Sequence, residues 1–67
     1  MKSNNISKAK RMKVTWLVGG SHGEPGCVMD AYKDEQGWHG TDEKGTTWAL
    51  FDSHLRNPDI CQVEVIE

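Results

Sequence analysis

Gly37-Trp38-His39-Gly40-Thr41-Asp42-Glu43-Lys44-Gly45-Thr46-Thr47-Trp48-Ala49-Leu50-Phe51 is the stretch on which the fold turns. Asp42-Glu43-Lys44-Gly45 has the chemistry of a tight turn, with a glycine available for the left-handed position. Strand-forming residues flank it, so the segment predicts a hairpin between Trp38–Thr41 and Thr46–Phe51. Upstream, Asp34-Glu35-Gln36-Gly37 is a second turn, and Cys27–Lys33 reads as the strand entering it. Gly19–Gly26 carries four glycines and Pro25, which can sustain neither a ladder nor a helix, so it is a long loop. Before it, Met12, Val14, Trp16 and Val18 alternate with Lys13, Thr15 and Leu17, the period of a strand with one buried face.

Downstream, Asp52 or Ser53 is placed to cap a helical turn through His54, Leu55 and Arg56. Asn57-Pro58 ends that turn, because the residue before proline is pushed out of helical space. In Ile60–Ile66, Cys61, Val63 and Val65 share one face while Gln62 and Glu64 take the other, giving a fifth strand.

Five short strands, a long first loop, two tight turns and a helical turn before the last strand make an order that resembles the SH3-like barrel. The resemblance is closest from Gly37-Trp38-His39-Gly40 through Gly45 and on to Ala49-Leu50-Phe51-Asp52-Ser53-His54-Leu55; elsewhere it rests on strand order. It implies an all-β fold, a small five-stranded SH3-like barrel over residues 12–67 with one short helical turn before the last strand. A split open sheet with a helical turn is the alternative. The departures bear on ligand class. The first strand lacks the alanine-leucine-tyrosine pattern of SH3 domains, Asp52 stands where they carry proline, and no tyrosine follows Ser53. Most of the aromatic lining of a polyproline groove is therefore missing, and Trp38 is the one groove residue that maps across.

A chain of 67 residues is one domain. Such a domain buries about 60% of its unfolded surface, and its core supplies only about 3–5 kcal/mol of net stability. The net charge of −2 conceals an uneven layout. Lys2, Lys8, Lys10, Arg11 and Lys13 lie in a first segment without acids, while from Val14 onward three bases face all ten acids, a net of −7. Residues 1–11 offer only Ile6 and Ala9 as apolar groups after Met1, so the segment reads as a flexible basic tail that buries nothing. An acidic body repels a nucleic-acid backbone and favours a basic protein surface.

Candidate chemistry is sparse. His22, His39 and His54 with Cys27 and Cys61 are zinc-ligand types, but there is no CxxC pair and no second close pair, and no metal or other cofactor is expected. Cys27 and Cys61 could pair only if the second and fifth strands were neighbours. Ser21 and His22 are adjacent, which points their side chains apart, and the glycine-rich loop has neither phosphate-binding spacing nor a lysine. The acid pairs Asp34-Glu35 and Asp42-Glu43 fall in turns, where carboxylates are solvated. With no signal peptide or membrane-length apolar run, a cytoplasmic location follows as the expectation.

These readings converge on a non-enzymatic protein-interaction module, an inhibitor or adaptor in the format of small phage or mobile-element accessory proteins, monomeric or homodimeric. Its partner would be a larger protein, held by an acidic, tryptophan-containing face of His22, Glu24, Asp34, Glu35 and Trp38. The alternative is nucleic-acid binding through Lys8, Lys10, Arg11 and Lys13.

Overall fold

The structure, a computed structural model, describes residues 3–67. Five strands run in chain order, β1 (Arg11–Trp16), β2 (Val28–Asp34), β3 (Gly37–Thr41), β4 (Thr47–Leu50) and β5 (Cys61–Val65), with one helix, α1 (Asp52–Arg56), before the last. All pairings are antiparallel and form a single sheet in the order β4-β3-β2-β1-β5. The fold is all-β, and its elements lie within a residue or two of those the alternation and turn chemistry predict.

Alternation decides which face is buried. On β1, Met12, Val14 and Trp16 are buried while Arg11 and Lys13 are exposed. The register sets Met12 against Ala31, Val14 against Met29 and Trp16 against Cys61, so three strands add to one apolar face. Trp38 and Gly40 extend that face across β3.

Gly40 is required for contact, not for a turn. A Cβ there would lie 2.8 Å from Leu50 Cδ1 and 3.2 Å from Met29 Sδ, so both side-chain ends must shift to admit one. Gly45 serves the other use of glycine, holding φ at +85° in the turn after Asp42.

The helical turn forms without the expected cap. The chain enters α1 from Phe51, and no side chain of Asp52 or Ser53 bonds back to the helix N–H groups. Asp52 instead accepts a hydrogen bond from Arg56 Nε at 2.6 Å, the i,i+4 geometry of a helix surface. The turn is held by its packing, since Leu55 is wholly buried.

The reading of the N-terminal segment as burying nothing is corrected. Ile6 is 1% exposed and Ala9 6%, and both belong to the core. Asn4 Nδ2 donates to the carbonyls of Leu55 (2.9 Å) and Cys61 (3.0 Å), and its backbone N–H donates to Arg56 O at 2.8 Å. One side chain thus ties α1 to β5 and brings Ile6 over the open end of the sheet. Met1 and Lys2 lie outside the described residues.

Ile6→Ala should lower the unfolding free energy by about 2–5 kcal/mol, a large part of what so small a core supplies. Exposed Lys8→Ala should change it by no more than about 0.5 kcal/mol. Urea denaturation of the two variants measures the contrast, and equal midpoints would return Ile6 to a non-packing tail. By the same assay Gly40→Ala should cost about 1–3 kcal/mol, because Leu50 and Met29 must both move.

Candidate functional site

A meander places alternate connections at the same end of its sheet. The β1–β2 loop and the β3–β4 turn therefore meet at one end, and the β2–β3 turn lies at the other. The seven residues of β2 at about 3.3 Å each put roughly 20 Å between those ends. This divides the expected binding face. His22 and Glu24 sit at one end, while Asp34 and Glu35 belong to the opposite turn, where Asp34 Oδ1 accepts the Gln36 N–H at 2.8 Å.

Trp38 belongs to neither group. It is 4% exposed and packed in the core, with its indole N–H buried and unpaired, so its expected role as an exposed anchor is corrected. It lies near the start of β3, an inner strand, between Lys33 of β2 and Leu50 of β4.

The loop and β4 instead frame a groove of 290 Å³. One wall is Val18 to His22 from the loop, the other Trp48, Ala49, Leu50 and Phe51, with Trp16 at the base and His54 and Ile60 closing the end. Consecutive strand residues point to opposite faces, yet Trp48, Ala49 and Leu50 all line this groove. It therefore runs along the free edge of β4, which bonds only to β3. Phe51 is 63% exposed at its rim, the most exposed large apolar side chain of the fold.

Local bonding fixes both walls. The loop doubles back on itself, with Gly20 and Gly23 exchanging two backbone hydrogen bonds of 3.0 Å. The His22 ring at their tip lies 4.7 Å from the Trp16 ring and 3.2 Å from the Val18 carbonyl. Opposite, Asp42 is the keystone of the turn. Its Oδ1 accepts the Lys44 and Thr46 N–H groups and its Oδ2 accepts Trp48 Nε1, each at 2.9 Å. Those donors, the Trp48 indole foremost and then the Thr46 N–H, hold the Asp42 carboxyl below its ordinary value, with the Lys44 N–H and charge adding to the effect. Beyond Trp48 the groove adjoins a basin lined by Glu24, Asp42, Glu43 and Lys44. The apolar groove and the acidic basin share Ser21, His22 and Trp48.

The remaining candidates are dispersed. His39 Nδ1 lies 3.1 Å from Asp34 Oδ2 but out of line for an N–H bond, and its ring stacks on Tyr32 on the outer face. Cys27 and Cys61 are free thiols, since β2 and β5 flank β1 on opposite sides and are not neighbours. Burial pushes the Cys61 thiol up, away from the reactive thiolate. Among the described residues no three His, Cys, Asp or Glu side chains gather to hold a metal, and no helix is long and apolar enough to cross a membrane.

Of the basic group, Lys8, Lys10, Arg11 and Lys13 are all exposed, but one meets a carboxylate and another has acids opposite it on both neighbouring strands. Arg11 lies 3.6 Å from Glu67, and Lys13 stands in register between Asp30 and Glu64. No family model, curated protein or solved structure gives a significant match to this chain.

Sequence reasoning passed over Trp48, Phe51 and Val18. The signal that could have found them is parity: in a meander the long first loop must face the β3–β4 turn and the strand leaving it.

Asp42 also sets a pH response. A carboxyl with a lowered folded pKa adds stability that is complete above the ordinary value of 3.8 and is lost as pH falls through the lower folded value. Asp42→Ala should remove that part of the acid destabilisation and shift the Trp48 indole N–H resonance. Unfolding midpoints followed from pH 6 down to about pH 2, the range in which carboxylates titrate, check it; an unchanged acid slope would refute the role.

Proposed function

We propose that this protein is a non-enzymatic interaction module that docks a larger protein in the groove along the free edge of β4. What carries the reading is the coincidence of three properties at one place. An unpaired strand edge offers backbone donors and acceptors, an apolar groove follows it, and Phe51 stands exposed at the rim. An open edge is a template for another chain, which adds a strand through main-chain hydrogen bonds while side-chain pockets give specificity. The relationship to SH3-like barrels remains part of this proposal, supported by the element order and by the helical turn that leads from β4 to β5.

The binding face retains His22 and Glu24 and exchanges Trp38, Asp34 and Glu35 for Trp48, Phe51 and the Asp42-Glu43 turn. A half-buried tryptophan beside an exposed phenylalanine is the composition of an interface anchor. An inhibitor or adaptor needs no more than such a patch on a small rigid carrier. The nucleic-acid alternative has weaker support, because Asp30, Glu64 and Glu67 offset the charges of Lys13 and Arg11.

Phe51→Glu introduces a charge on a side chain that the core does not use, so the fold should persist. Immobilised protein should capture a partner from host lysate that the F51E protein fails to retain, while Glu35→Lys, at the opposite end of the sheet, retains it. A partner kept by F51E and lost by E35K would return the site to the β2–β3 turn.

A further inference from the structure

We infer that the groove receives a cationic side chain, arginine or lysine, carried on an extended segment of the partner. The inference rests on the docking reading above and adds the chemistry of the occupant. Its first support is the lining. Trp16, Trp48 and Phe51 bring three aromatic rings to one groove, flanked by the imidazoles of His22 and His54. Trp48 is fixed in place by its hydrogen bond to Asp42, and Phe51 by an edge-on contact with His54 at 5.3 Å between ring centres. Aromatic faces present negative quadrupole charge, which attracts a cation that still carries apolar stem or planar surface.

The second support is the adjoining basin. Glu24, Asp42 and Glu43 stand there against the single Lys44, so negative potential lies beside the rings. An arginine or lysine stem can lie along the apolar groove while its charged head reaches that basin. The free edge of β4 selects an extended chain over a free cation, since three consecutive strand residues line the groove and their outward backbone groups lie beside it.

The test uses three blocked pentapeptides, acetyl-Val-Thr-X-Val-Thr-amide with X as arginine, lysine or glutamine, titrated into the full chain. The readout is the Trp48 indole N–H resonance, which reports from a side chain shared by groove and basin. Saturable shifts with the arginine or lysine peptide, at least tenfold tighter than with glutamine and weakened by added salt, support the proposal. The comparison between the two cationic peptides assigns the head group. Glu24→Gln and Glu43→Gln, both at exposed positions, should each reduce binding of the cationic peptide and leave unfolding midpoints unchanged.

Equal binding of all three peptides would overturn the cationic occupant and leave the docking groove standing. No binding by any of them would overturn the cationic proposal, and with partner capture still abolished by F51E it would leave the docking reading intact. If capture also survives F51E, both readings fall together.

Discussion

The single antiparallel sheet of this small chain packs one face and leaves the other to solvent, and the rest of the structure follows from how the packed face is closed. The five strands turn Met12, Val14, Trp16, Met29, Ala31, Trp38 and Cys61 inward, but no second sheet lies opposite. Leu55 from α1 and Ile6 from the N-terminal segment supply the missing side. Asn4 makes that closure specific. Its amide donates to the carbonyls of Leu55 and Cys61, joining helix and strand through one side chain. With about 3–5 kcal/mol of net stability available to a core of this size, the loss of that bridge would matter.

The elements were legible because each is announced locally. Alternation marks β1 and β5, the two Asp-initiated turns mark both hairpins, and Asn57-Pro58 marks the end of α1. What stayed hidden is non-local. Asn4 bonds to carbonyls 51 and 57 positions away, and two apolar residues among polar ones carry no period, so Ile6 and Ala9 gave no strand or helix signal. Trp38 and Trp48 look equivalent in sequence, each a tryptophan in a short strand beside a turn. Their environments differ because β3 is an inner strand and β4 an edge, a property of strand order that neither residue's neighbours reveal. Asp52 shows the same limit at smaller scale: a good capping residue was diverted by an arginine one helical turn away.

The site itself was half legible. Two turns of the same composition, Asp34-Glu35-Gln36-Gly37 and Asp42-Glu43-Lys44-Gly45, compete for the role of companion to the long loop. Only the second can fill it, because connections of a meander alternate between ends. Asp42 then does what Asp34 does not. Both carboxylates close an Asx turn onto the N–H two residues on, but Asp42 also reaches Thr46 and the Trp48 indole. The residue that shapes the hairpin thereby fixes the tryptophan of the groove, so fold and site share one carboxylate.

The two edges of the sheet are treated differently, and the difference points to use. At the outer edge of β5, the Cys61 carbonyl accepts Asn4 Nδ2 and the Cys61 N–H donates to Asn57 O, so the start of that edge is met by the chain's own N-terminal segment and by the turn after α1. β4 has no such cover. An uncovered edge invites indiscriminate pairing unless something restricts it. Here the restriction is short length and charge: four residues offer too few main-chain hydrogen bonds for a stable complex by themselves, and the acidic basin repels a like-charged edge. Affinity must then come from the side chains that fill the groove. An edge left open but made short, aromatic and acid-flanked can accept one kind of strand while remaining a poor template for its own copies.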